Sequence, residues 1–519
     1  MPILGNIIKR GLSLGDQFER RNVDPLLLQT RTLRRLLRAA SQTTFGKYYD
    51  FRELLKSPNL IETFQQKVPV HNYDSMYERW WHMSLNHVEN VTWPGKVRYF
   101  ALSSGTSGAP SKHIPVTDHM IRAIRRGGTR MFFNLSRFDI GADLFAKDIM
   151  MLGGSTNLQN QGDYFLGDLS GINAGKIPFW LRPFYKPGTE ISRINDWNDK
   201  IEEIARRAPE WDVAFMVGIP AWVQLMMERI IEVHQASTIH DVWPNLTVYV
   251  HGGVHFEPYR KGFEKLTSKP LVYMNSYLAS EGLIAFQNRP DTRAMRMLLH
   301  NGLFFEFVPF NEANFDEDGN IRENPQALSI DAVEEGVNYA LLLSTCAGAW
   351  RYLIGDTVKF VDKARSEIVI TGRTKHYLSI VGEHLSVDNM NQAVSAAEEI
   401  LGIDVREFTV SAIQTGKFFA HKWYVGCEPL VAADRLAAVI DEQLKLVNDD
   451  YKVERNSVLQ DIQMEVIPPE LFYKWQEARG KLGGQNKFPR VMKKDLFAEW
   501  EQFVRQSPAA QMHSDEVLG

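Results

Sequence analysis

At 519 residues the chain exceeds the roughly 250–300 at which a single hydrophobic core stops growing, so two or more packed units are expected. Hydrophobic residues at 44% and charged residues at 24% are those of a globular protein, and a formal charge of −4 without a dense basic block excludes a phosphate-backbone binder. Cys346 and Cys427, one far-separated pair, exclude a disulfide framework or a thiolate zinc site of the usual spacing and favour a reducing cytoplasm.

The opening MPILGNIIKRGLSLG is broken by Asn6, Lys9 and Arg10 and lacks the apolar run of a signal peptide. No stretch reaches the roughly 18 apolar residues of a membrane span, so no membrane partner is expected. Residues 25–41 place Leu26, Leu33, Leu36 and Leu37 near helical spacing with arginines between them, which predicts an amphipathic helix. After residue 90, short apolar runs ending in Gly or Ser alternate with helical patterns, an α/β texture. VRYFALSSG (97–105), DIMMLGGS (148–155), WDVAFMVGIP (211–220), LTVYVHGG (246–253) and LVYMNSY (271–277) read as strands whose carboxyl ends open into polar loops. Pro220 sits at the first turn of a helix through Trp222, Leu225, Met226 and Ile230. A β-rich stretch from 303 to 373 follows, then helical, charged patterns such as 432–447. The domain boundary is placed at 372–385, giving a unit over 1–371 and a smaller one over 386–519, with 507–519 as a frayed tail.

Five segments carry candidate chemistry. SSGTSGAPSK follows the predicted strand, and its glycines and hydroxyls (Ser103, Ser104, Gly105, Thr106, Ser107) suit a phosphate cradle. A flexible Gly/Ser loop fits the composition equally well. In NSYLASEG, Tyr277 offers an aromatic face and Glu281 a hard oxygen for magnesium, although a surface glutamate beside a core tyrosine is the commoner arrangement. In WRYLIGDTV, Gly355 makes a turn and Asp356 accepts from ribose hydroxyls, unless the pair is a plain turn between strands. Arg373 contacts nucleotide or pairs with a surface acid, and GGQNKFPR presents Lys487, a residue type normally solvated.

Taken in order, SSGTSG, HGGVHF, YLASE, RYLIGD, GR with Gly382 nine residues later, and NKFPR resemble the core motifs of the adenylate-forming superfamily. The YLASE and RYLIGD forms, Lys112 soon after the Gly/Ser loop, and the stretch LRRLLRAASQTTFGKYYDF with its following KVPVHNYDSM are similar to the Gretchen Hagen, auxin-responsive, family of acyl-acid amido synthetases. Two positions depart from the family pattern: Leu353 where plant members carry arginine, and His384 where lysine is frequent.

The resemblance implies an α/β fold in which a large N-terminal domain with helix-flanked sheets carries a smaller, mobile C-terminal α+β domain on a hinge at 372–385. It implies ATP and Mg2+ as cofactors, Glu281 holding the metal, and Ser103, Ser104, Gly105, Thr106, Ser107, Gly253, Tyr277, Ser280, Asp356 and Arg373 holding the nucleotide. Lys487 would be brought to the α-phosphate by domain rotation. The reaction implied is activation of a carboxylic acid as its acyl-AMP, then transfer to an amino acid amine. Coenzyme A as acceptor, or nucleotide binding without catalysis, are the alternatives. The partners are small molecules, with no nucleic acid and a monomeric or weakly oligomeric state. The apolar stretch 211–222, the arginines Arg122, Arg125, Arg126 and Arg130, and His384 as a base are weaker candidates for the acid pocket and for aminolysis. Each is more simply read as core packing or solvated surface.

Overall fold

The computed structural model describes residues 23–103, 112–177, 181–254, 256–316, 319–375, 377–378, 385–415, 418–455, 459, 462–483 and 487–507. The expected first helix is α1 (Pro25–Ala40), whose N-cap Asp24 accepts from the Leu26 amide at 2.9 Å. Its buried Gln29 exchanges hydrogen bonds with Leu299 and Phe305, stitching the helix to the sheet it covers. Strands β1 (Tyr99–Ser103) and β2 (Lys112–Val116) form an antiparallel pair in a small four-stranded sheet, followed by α2 (Asp118–Asn134).

The main sheet has eleven strands. Its parallel half is β3 (Asp148–Met151), β4 (Val213–Gly218), β5 (Val248–Gly252) and the start of β6 (Val272–Ala279), with helix α3 (Pro220–Val233) after β4 and α4 (Glu257–Lys265) after β5. Pro220 occupies the first turn of α3 as expected, because a residue lacking N–H costs nothing there. The antiparallel half continues through β7 (Gly282–Phe286), β8 (Met295–Met297), β9 (Leu303–Pro309), β10 (Asn338–Thr345), β11 (Tyr352–Asp362) and β12 (Glu367–Arg373). The spatial order is β9-β10-β11-β12-β8-β7-β6-β5-β4-β3, with the short Tyr185–Lys186 strand at the edge. The fold is therefore mixed α/β, in agreement with the sequence expectation.

The chain leaves β12 at Arg373 and enters α5 (Val387–Leu401); His384 and Gly382 lie outside the described residues. Beyond come β13 (Asp404–Thr415), β14 (Phe418–Glu428), α6 (Ala433–Val447), β15 (Gln463–Ile467), α7 (Glu470–Ala478) and α8 (Lys494–Gln506). β13, β14 and β15 make a separate three-stranded sheet with its own apolar cores, one under α5 and α6 and one around Trp500, Phe472 and Phe488. Residues 508–519 of the expected tail lie outside the described residues.

One local expectation is corrected. Gly355 and Asp356 do not form a turn between strands but lie within β11, where the pairing to β10 slips between Ala340 and Leu342. The bulge puts Gly355 at φ +86°, and such an extra residue re-aims its neighbour's side chain without ending the strand.

Candidate active site

The carboxyl ends of parallel strands leave backbone groups and loops without partners, and here β4, β5 and β6 end in register, with Gly218 beside His251 and Gly252 beside Ser276. Above these ends lies a cavity of about 850 Å³ walled by both parts of the molecule. The large part contributes Gly253, Tyr277, Ser280, Glu281, Asp356 and Arg373; the small part contributes Lys487. These sites, scattered over more than 230 residues of sequence, are thus gathered in one place.

Asp356, re-aimed by the β11 bulge, has one partner on each oxygen. The Tyr277 hydroxyl donates to Oδ2 at 2.6 Å, and the Arg373 Nε lies 3.0 Å from Oδ1. Arg373 also donates to the Ile354 carbonyl at 3.1 Å. Its partner is therefore a cavity carboxylate and not a surface acid. Each carboxylate oxygen keeps a second lone pair for a ligand hydroxyl. Tyr277 is buried, so its ring is a wall and its hydroxyl a clamp.

Ser280 and Glu281 form the two-residue connection of the β6–β7 hairpin. Gly282 follows at φ +141°, where an added Cβ would stand 3.0 Å from the Met120 sulfur. The hairpin tip is thus drawn inward, and Glu281 is only 9% exposed. Burial pushes its carboxyl up to about 7, Asp356 adds to the rise, and Lys112 and Arg373 oppose it. The glutamate is not the exposed surface residue that its type favours. Among the described residues no group of three or more His, Cys, Asp or Glu could hold a metal ion. A buried carboxylate short of compensating charge nevertheless fits a magnesium ion carried mainly by nucleotide phosphates, because Mg2+ takes one or two protein carboxylates in such sites.

Ser104, Gly105, Thr106 and Ser107 lie outside the described residues, as does the rest of that loop to Ser111. Its ends are fixed: Ser103 and Lys112 face each other across the β1–β2 ladder, and Leu102 and Lys112 line the cavity. Lys112 was visible in the sequence only as the first cation after the loop. Burial and Arg373 lower its pKa while Glu281 holds it up, and its ammonium lies 5.4 Å from the Tyr73 ring centroid. Tyr73 belongs to the KVPVHNYDSM segment and accepts from the His113 amide at 3.0 Å. His71 of the same segment pairs with Arg351 and Leu353 at the start of β11.

Lys487 stands against Gly253. A Cβ there would lie 3.1 Å from the lysine Cε and 3.4 Å from Nζ, and φ is +88°. The lysine faces the cavity yet is surrounded by protein atoms, and the resulting desolvation lowers its ammonium to about 8; Asp356 opposes the drop and Arg373 adds to it. Phe488 anchors the lysine's neighbour in the small-domain core, 5.1 Å from the Trp500 ring. Further lining residues escaped the sequence reading: Arg260, stacked 4.7 Å from Tyr273, and Arg479, stacked 4.8 Å from Trp475. Arg479 lies one helical turn after Trp475, a spacing the sequence does show, whereas nothing local signals that Arg260 on α4 lies over Tyr273 of β6.

The weaker candidates fall elsewhere. Residues 211–222 and Arg122, Arg125, Arg126 and Arg130 are not in the cavity wall. Trp211, Val213, Met216 and Trp222 are buried in the core beside α3. Leu353, on the strand face opposite Tyr352 and Ile354, packs into the apolar cluster of Val308 and Phe315 rather than into the cavity.

Three family models match, described as the GH3 family N-terminal, central and C-terminal domains, over residues 15–201, 296–373 and 388–495. The chain belongs to the GH3 family. Among its GH3 relatives are the jasmonoyl–L-amino acid synthetase JAR4 of Nicotiana attenuata, 28% identical over 33% of this chain and 30% of that protein, and the indole-3-acetic acid-amido synthetase GH3.8 of Oryza sativa subsp. indica, 24% identical over 54% of this chain and 49% of that protein. The chain thus spans half or less of these relatives' length. The GH3 fold is shared with the solved GH3.15 acyl acid amido synthetase, at TM-score 0.76, 16% identity and 95% of both chains. It is shared more distantly with a 2-hydroxyisobutyryl-CoA ligase, at TM-score 0.58, 13% identity and 92% of both chains.

Proposed function

We propose that the protein is an ATP-dependent acyl-acid amido synthetase, which activates a carboxylic acid as its acyl-AMP with release of pyrophosphate and then forms an amide with an amino acid. The observation that carries this reading is the convergence of Lys487, Asp356, Arg373, Glu281 and Lys112 on one cavity. JAR4, a jasmonoyl–L-amino acid synthetase, and GH3.8, an indole-3-acetic acid-amido synthetase, support it as relatives.

Attack of a carboxylate on the α-phosphorus of a polyanion is resisted by charge, so the work is neutralisation and positioning. Lys112, Arg373 and Lys487 supply three cations against Glu281 and Asp356. Asp356, clamped by Tyr277 and Arg373, would accept from the ribose hydroxyls. Gly253 leaves room for Lys487 at the strand ends, and the 104–107 loop would hold phosphate oxygens between fixed ends. Glu281 would hold magnesium, which screens the phosphate charge when bound. Acceptor amines are mostly protonated in water; the enclosure that brings Lys487 to about 8 favours a neutral amine in the same cavity. The small domain from 386 onward would turn on residues 372–385 between the two half-reactions. Both cysteines are free and buried, which suits a reducing cytoplasm, and no described helix is long and apolar enough to cross a membrane.

The test is a screen of aryl and alkyl acids with MgATP for pyrophosphate release, followed by mass spectrometry with amino acids or coenzyme A. An amide supports the proposal. A thioester alone assigns the acceptor to coenzyme A, and no AMP formation with any acid removes the enzymatic reading.

A further inference from the structure

The small domain touches the large one through a cluster at the edge of the cavity, which Arg490 also lines. Glu407 on β13 is buried at the interface, 3% exposed, and receives the Tyr259 hydroxyl of α4 on Oε1 at 2.9 Å. Its other oxygen takes Arg490 Nη1 at 2.5 Å, and Arg490 Nη2 lies 3.3 Å from the Tyr259 hydroxyl, closing a three-membered ring of contacts. Arg490 further donates to the Phe408 carbonyl at 3.1 Å and lies 4.4 Å from the Phe408 ring centroid. Burial raises the Glu407 carboxyl, and Arg490 and Tyr259 pull it back.

Two of the three groups belong to the small domain and one to the large, and Arg490 is only three residues after Lys487. On the other side of Lys487, Gly483 at φ +78° lies against the Trp197 ring so closely that a Cβ would stand 2.3 Å from it. Gly483 and Arg490, on either side of Lys487, are therefore both tied to the large domain, the first by a shape fit against Trp197 and the second, with Glu407, by the buried Tyr259 hydroxyl. The Glu407–Arg490 pair lies within the small domain, so the tie across the interface is the Tyr259 hydroxyl, whose bonds to both charged groups are made in one arrangement of the two domains. If the small domain turned away, Glu407 and Arg490 would keep each other and lose the Tyr259 hydroxyl.

We infer that Tyr259, Glu407 and Arg490 are positioning residues for the adenylation half-reaction, a latch that commits the small domain to the orientation in which Lys487 enters the cavity. This rests on the function proposed above. None of the three needs to touch the reacting atoms, and the latch should matter for acyl-AMP formation but not for its consumption by the amine.

The test uses the full chain and the variants Tyr259→Phe and Glu407→Gln. Spin labels at Lys56→Cys and Glu442→Cys, both exposed positions, report the domain separation; the native cysteines are buried. The latch predicts one narrow distance distribution in the parent and a broadened or second population in each variant. It predicts pyrophosphate exchange lowered about tenfold or more in kcat with the KM for ATP within about twofold, and aminolysis of prepared acyl-AMP unchanged. If either variant fails to fold, Arg490→Lys, which keeps the charge but loses the fork, is read the same way. An unchanged distance distribution, unchanged exchange, or equal loss in both half-reactions overturns the inference. A parent with no exchange on any acid defeats the proposed function instead, and the distance measurement alone then decides the latch.

Discussion

Lys487 and Glu281 are the two residues whose chemistry most depends on their protein surroundings, one facing the cavity and the other buried beside it. Replacing Lys487 with Ala removes a cation needed most as charge develops at the α-phosphorus, so nucleotide binding is expected to persist while pyrophosphate exchange falls about a hundredfold. Equilibrium binding and exchange assays on the same preparation check this; full exchange would remove the lysine from its role. Glu281, raised to about 7, must be ionised to hold magnesium, so MgATP affinity is expected to weaken as pH falls through 7. In Glu281→Gln that pH dependence disappears and affinity is low throughout, as titration calorimetry from pH 5.5 to 8.5 would show. Both residues were named through their motifs, but nothing local in the sequence placed them in one cavity or buried Glu281. Lys112 shows the same limit: its place beside Glu281 comes from the pairing of β1 with β2, which no local pattern specifies.

At the scale of the element, the β11 bulge is what turns a Gly-Asp pair into a binding group. Gly355→Ala meets only ordinary contacts, 3.6 Å to Arg373 and 3.8 Å to Thr374, so its cost comes from φ +86°. A loss of about 1–2 kcal/mol and a raised KM for ATP are expected, read by denaturant unfolding and steady-state kinetics. Most strands, and the helices at 25 and 220, were legible because apolar periodicity and a proline at N1 are local signals. The bulge was not, since a Gly followed by Asp reads as a turn unless both flanking strands are known to pair with the same neighbours. Leu353 departs from the family pattern in sequence, and the strand's alternation turns it into an apolar cluster away from the cavity. Helix α5 carries a second pH-sensitive group. Burial pushes Glu398 up to about 8, Asp404 and Glu257 add to it, and the Val405 amide and Lys261 oppose it. An acid whose folded pKa is raised stabilises the fold below its unfolded value near 4.5 and loses that contribution as pH rises through 8. Glu398→Gln is therefore expected to be more stable than the parent at pH 9, by about 2–3 kcal/mol, and indistinguishable at pH 4.5. Thermal unfolding across that range checks the sign.

At the scale of the molecule, the cavity exists only because two bodies with separate cores face each other, one ending its parallel strands there and the other supplying Lys487. Sequence order of the motifs pointed to that pairing, and chain length led to the expectation of two or more units. The surfaces that hold them together, such as Tyr259 with Glu407 and Arg406 with Glu228 at 3.1 Å, carry no motif and emerge only from the packing. The most direct measurement is product analysis by mass spectrometry after incubating the purified chain with MgATP, a panel of acids and a mixture of amino acids. An acid-dependent amide formed with stoichiometric AMP is the predicted result. AMP and pyrophosphate absent for every acid, or acyl-AMP that no amine consumes, would contradict the account.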